Sequence, residues 1–162
     1  MRKVLIVVGF LLLSLGAQAQ FEQGKWLINP SVTGLGFSWN KETKAKFGFG
    51  VQTGAFVTNS VMLLIEGAAE WTSPVDKYTL GVGGRYYFDQ TGVYVGTGLN
   101  ASRYDYDGAR DNITNWGLRL EAGYAFFLSR TVTIEPAVYY NHSFKDSDYS
   151  DIGFKIGFGF YF

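Results

Sequence analysis

From Lys25 to the last residue, apolar side chains fall at every second position, the period of a strand whose two faces differ in chemistry. The end of the chain shows it most cleanly. Ile152, Phe154, Ile156, Phe158, Phe160 and Phe162 share one face, and Gly153, Lys155, Gly157, Gly159 and Tyr161 share the other. Upstream, Trp116, Leu118, Leu120, Ala122, Tyr124 and Phe126 alternate with Asn115, Gly117, Arg119, Glu121, Gly123 and Ala125. Val132, Ile134, Pro136, Val138 and Tyr140 oppose Thr133, Glu135, Ala137 and Tyr139 in the same way. Comparable runs at 47–57, 61–71, 78–88 and 93–103, with a less regular one at 25–38 that Pro30 interrupts, bring the expected strands to eight. No helical period is visible.

Three connections read as short turns, at 58–60, 89–91 and 128–130. They alternate with four longer polar ones around 39–46, 72–77, 104–112 and 141–151. Turns on one rim, loops on the other and an even strand count predict an eight-stranded antiparallel up-and-down barrel, closed so that no edge is left unpaired. The polar face decides which side is out. Gly48, Gly50, Gly54, Gly81, Gly83, Gly96, Gly98, Gly157 and Gly159 lie on it, where a soluble barrel would carry lysine, glutamate and threonine. Small residues suit the crowded interior of an eight-stranded barrel, filled by a few long side chains: Glu66, Glu70, Arg85, Arg119, Glu121, Glu135 and Lys155. One arginine at mid-depth on a lipid face costs about 2–4 kcal/mol, so these seven belong inside and the apolar face meets lipid. Aromatics support this as two interfacial belts, with Trp26, Phe88, Phe126 and Phe162 toward the turns and Trp39, Trp71, Tyr78, Trp116 and Tyr140 toward the loops.

Met1-Arg2-Lys3, the apolar run Val4 to Leu13 and the small-residue pattern Ala17-Gln18-Ala19 read as a Sec-type signal peptide over 1–19, with the barrel domain at 20–162. The apolar run is too short for the ~20 residues of a spanning helix. Cysteine is absent, which excludes disulfides and thiolate chemistry. Fourteen basic residues balance fourteen acidic ones, so no basic surface nominates a nucleic acid.

Lys155-Ile156-Gly157-Phe158-Gly159-Phe160-Tyr161-Phe162 resembles the C-terminal signal by which the outer-membrane assembly machinery recognises the last strand of a client, with Lys155, Gly157, Phe160 and Phe162 at its key places. With the signal peptide and eight strands, the whole mature chain resembles the outer membrane protein β-barrel domain family, related to the OmpA transmembrane domain and OmpX. The Ala17-Gln18-Ala19-Gln20 junction is similar to those of Bacteroidetes. The resemblance implies a Gram-negative outer membrane, with its lipid and lipopolysaccharide and the assembly machinery as partners. The family includes anchors, adhesins, lipid-modifying enzymes and accessory subunits of larger complexes, and fold does not choose among them. Because the sequence ends at Phe162, anchoring to the cell wall through a following domain is not expected.

His142 and Ser143, with Asp146, Asp148 and Asp151 nearby, are the residues a lipid A deacylase-like reading would need. Adjacent residues on a strand face opposite ways, however, and no third group is fixed. The acids of 105–111 and 146–151 do not match a calcium loop with its glycine at the sixth place and glutamate at the twelfth. A narrow pore lined by the interior charges is a further alternative, although eight strands leave little lumen. The expectation is therefore a non-enzymatic integral outer-membrane barrel with a structural or interaction role, without cofactor or metal, acting alone or beside a larger outer-membrane complex.

Overall fold

The computed structural model describes residues 21–33, 47–72, 75–88, 91–106, 113–145, 147 and 150–162. The expected signal peptide, Trp39 and the 39–46 loop lie outside them. Eight strands run in chain order: β1 (Trp26–Thr33), β2 (Phe47–Thr58), β3 (Val61–Thr72), β4 (Val75–Tyr87), β5 (Val93–Tyr106), β6 (Ile113–Tyr124), β7 (Val132–Ser143) and β8 (Asp151–Tyr161). Past Ala125, β6 resumes for two residues, Phe126–Phe127, against β7. Every strand pairs antiparallel with its sequence neighbours, and β1 closes the sheet on β8, with Leu27 opposite Tyr161 and Thr33 opposite Lys155. This is the closed eight-stranded barrel that the alternation predicts. Closure satisfies every ladder, as a sheet in hydrocarbon must.

The strands run further toward the loops than the sequence suggests. Val75, Asp76 and Lys77 continue the ladder opposite Thr72, Trp71 and Glu70, so only residues 73 and 74 separate β3 from β4 where a longer loop was expected. Similarly, β5 reaches Tyr106 and β7 reaches Ser143. A strand that has cleared the hydrocarbon no longer needs an apolar outer face, so polar residues stop marking its end. The first strand, by contrast, is described only to Thr33, and 34–38 lie outside the described residues.

Alternation sorts the side chains as the two-faced pattern requires. Leu80, Val82, Ile65 and Trp116 stand outward at 60–71% exposure, whereas Arg85 and Glu135 are 1% exposed. Of the belt residues that are described, Trp26, Phe88 and Phe162 face outward near the turns, and Trp71, Tyr78, Trp116 and Tyr140 face outward near the loops.

One layer of the interior departs from the expected mixture of glycine and charge. At the turn end, Leu27, Phe56, Met62, Leu64, Tyr87, Tyr94 and Tyr161 point inward and form an apolar core with Phe21. Phe21 comes from the segment before β1. Its ring stacks on Tyr87 with centroids 4.2 Å apart and meets Phe127 at 5.5 Å and Phe56 at 5.9 Å. The segment is tied down by its backbone: Ser60 N donates to Phe21 O at 2.9 Å and Gly24 N to Phe56 O at 2.9 Å. Ser60 sits in the two-residue turn between β2 and β3 with φ 67°, a left-handed conformation that costs a residue bearing a Cβ about 1–2 kcal/mol. Its amide bond to Phe21 and its carbonyl, which accepts from Tyr87 N at 2.8 Å, hold it there. Runs such as Val61-Met62-Leu63-Leu64-Ile65 are apolar on both faces at this end, so parity alone could not reveal the layer.

Candidate functional site

Above the apolar layer the lumen is held by one arginine. Arg85 follows Gly81 and Gly83 on the inner face of β4 and reaches across the barrel. Its Nη1 donates to Glu135 Oε2 at 3.0 Å and to the Tyr87 hydroxyl at 2.9 Å, while Nη2 donates to Glu121 Oε1 and Gln52 Oε1, both at 2.7 Å. The guanidinium carbon lies 4.0 Å from the centre of the Tyr94 ring, a close cation–π stack. Arg85 Nε and the Tyr94 hydroxyl find no hydrogen-bond partner among the described residues.

Each carboxylate facing Arg85 is satisfied from other strands as well. Glu135 accepts from Asn29 Nδ2 at 2.6 Å, Thr133 Oγ1 at 2.8 Å and the Tyr161 hydroxyl at 2.8 Å. Glu121 is paired with Lys155, whose ammonium also donates to Gln52 Oε1 at 3.1 Å. Toward the loops, Arg119 pairs with Glu66 at 2.5 Å and donates from Nε to Asn141 Oδ1 at 2.9 Å. Asn141 passes the chain to Asp151 at 3.1 Å, and Asp151 meets Lys77 at 3.4 Å. Glu70 lies 3.8 Å from the same Lys77 ammonium. Burying charges in this way is costly unless the remaining lone pairs and protons are met, and these residues meet most of them.

All seven interior residues named from the sequence thus face the lumen. Arg85, Glu121, Glu135 and Lys155 converge in one layer, Arg119 and Glu66 form a pair above it, and Glu70 joins a third group near the loops. Sequence reasoning missed the partners that bind these together. Gln52, Asn29 and Asn141 stand at inward positions and could have been found by parity, but only full charges were counted. Lys77 and Asp151 fell in stretches read as loop.

The C-terminal residues divide by face: Lys155 and Gly157 point inward and are buried, and Phe160 and Phe162 point outward. A Cβ on Gly157 would run into the Asn29 carboxamide, so glycine there makes room for the partner of Glu135. Near the outer rim, His142 is exposed on the outer face of β7, between the rings of Tyr140 and Phe144 at 6.3 and 6.0 Å. Ser143 points inward and donates to Asn115 Oδ1 at 3.0 Å. The barrel wall separates the two, so they do not form a nucleophile–base pair. Among the described residues no three of His, Cys, Asp and Glu converge as metal ligands.

A void of about 20 Å³ beside Gln52, Glu66, Arg119 and Glu121 has room for roughly one water.

An antiparallel barrel closed at eight strands, apolar outside and packed with ion pairs inside, defines an integral outer-membrane protein of the small-barrel class. The sequence matches the outer membrane protein beta-barrel domain family over residues 5–162, and the chain belongs to that family. No curated relative matches it at the level of sequence. In fold it is similar to the N-terminal β-barrel domain of Pseudomonas aeruginosa OprF, with a TM-score of 0.69 at 15% identity, covering 86% of this chain and 98% of that one. It is also similar to OprG of the same organism (TM-score 0.61, 15% identity, 88% and 98% covered) and to neisserial surface protein A, NspA (TM-score 0.60, 18% identity, 85% and 94% covered).

Proposed function

We propose that this protein is a non-enzymatic barrel with a structural or interaction role, which it performs through its outer wall and loops rather than through its lumen. The observation that carries this reading is the occupied interior: the Arg85 cluster fills the middle of the barrel, and the Phe21 layer fills its turn end. A solute would have to break several charge-assisted hydrogen bonds at once to pass. The separation of His142 from Ser143 supports the non-enzymatic part.

In this reading residues 1–19 are a cleaved signal peptide, and Lys155, Gly157, Phe160 and Phe162 are read by the assembly machinery before they take their places in β8. The seven interior charges serve fold specificity, fixing which strands face each other across the lumen. The partners are outer-membrane lipid, lipopolysaccharide and, where the protein is an accessory subunit, a larger outer-membrane complex.

Gentle detergent extraction of the tagged protein from its native outer membrane tests the role. A polypeptide recovered in stoichiometric amount identifies an accessory subunit, and a solitary barrel identifies an independent envelope component. Replacement of His142 is expected to leave the lipid A profile unchanged; a changed profile would overturn the non-enzymatic reading.

A further inference from the structure

The outer wall is not uniformly convex. Across β1 to β6 it carries a trough of about 750 Å³, within the ~300–1,000 Å³ range of small-ligand sites. Its floor follows one row of the ladder, Gly54 opposite Leu64, Leu64 opposite Gly83 and Gly83 opposite Gly98. The side chains of this row point into the lumen, so on the lipid side the floor is bare backbone. One bank carries Ile65, Val82, Leu99 and Leu118 and the other Trp26 and Leu63, and Thr53, Ala55 and Thr97 are small enough to keep the trough open.

We propose that this trough is a binding site for one acyl chain of a phospholipid from the periplasmic leaflet. The trough is continuous with the lipid-facing wall, so its occupant comes from the bilayer. Thr53 and Thr97 are the only side chains lining it that carry a hydroxyl, and no charged group lines it, which suits a hydrocarbon ligand that forms no hydrogen bonds. Crossing from β1 to β6 at ~4.8 Å per strand gives about 24 Å of length, enough for a chain that spans the ~15 Å of half a bilayer core when it lies obliquely.

Position decides the leaflet. Trp26 begins β1 at the turn rim, where its amide donates to Phe162 O at 3.1 Å, and Leu118 lies midway along β6. In outer-membrane barrels short turns are periplasmic, so the trough rises from the periplasmic interface to mid-membrane and stays within the phospholipid leaflet. At its lower end Trp26 has the amphipathic ring favoured at headgroup level.

The test is native mass spectrometry of the whole protein extracted in mild detergent, with analysis of the bound lipid. Wild type is expected to retain one phospholipid per chain. Thr97→Trp, which fills the trough from the lipid side, is expected to retain about tenfold less, the loss that follows when roughly two methylene groups can no longer be buried. Val138→Trp on the opposite wall should retain as much as wild type, and heat-modifiable gel mobility checks that each variant is folded. Should Thr97→Trp fail to fold, Ala55→Leu reads the same site with a smaller insertion and a smaller loss. Equal retention by trough and control variants would identify ordinary boundary lipid and overturn the proposal. So would lipid A as the retained species, or a polypeptide seated there in place of lipid.

Discussion

The two halves of the lumen hold the barrel shut by different physics. The turn-end half is an aromatic layer in which Phe21, Phe56, Tyr87, Phe127 and Tyr161 touch at centroid distances of 4.2–6.4 Å without needing one fixed geometry. In the other half, the positions of Arg85, Glu121, Glu135 and Lys155 are set by directional hydrogen bonds among six strands. Apolar area is lost in proportion to what is removed, whereas a buried ion network fails when one member is missing and its partners remain. The lower half should therefore tolerate change gradually and the upper half abruptly.

Arg85→Ala should have the largest effect, about 3–5 kcal/mol of stability, because Glu121 keeps only Lys155 and Glu135 keeps no cation. Urea unfolding in lipid vesicles, followed by gel mobility, would measure it, and a loss below about 1 kcal/mol would remove the distinction between the halves. Phe21→Ala should cost about 3 kcal/mol, the low end for a buried phenylalanine, because the segment before β1 lies outside the ladder and can withdraw instead of leaving a rigid cavity. Its signature is faster proteolysis at the turn end with the ion layer intact. Lys77→Ala, near the loops where Lys77 and Asp151 are partly exposed, should cost about 1 kcal/mol or less and should lose even that in high salt. The smallest change is expected for the double variant Arg85→Met with Glu135→Gln, which removes one charge of each sign and leaves Glu121 with Lys155. Its stability should return most of the way to wild type, and the double-mutant cycle reports the coupling directly.

The difference between the halves also explains what could be read from the sequence. In the middle of each strand lipid dictates one face and a crowded lumen the other, so a parity count puts Glu66, Arg85, Arg119, Glu121, Glu135 and Lys155 on the face away from lipid. At both ends that pressure lapses. Met62 and Leu64 look no different from outward Leu63 and Ile65, and Phe21 lies in no strand at all, so the aromatic layer carries no periodic signal. At the loop end, Lys77 and Asp151 resemble loop residues because each follows a polar residue, Asp76 or Ser150, where the regular alternation begins, although both belong to strands. The ionic pairings depend on strand register, which period-two patterning does not supply across the barrel.

Planar-bilayer recording tests the sealed lumen most directly. The purified full-length barrel, with Glu135→Gln beside it, is expected to give no discrete conductance steps in either form. Regular steps in the wild type that shift in size with Glu135→Gln would show that ions pass the Arg85 layer, and would contradict the account.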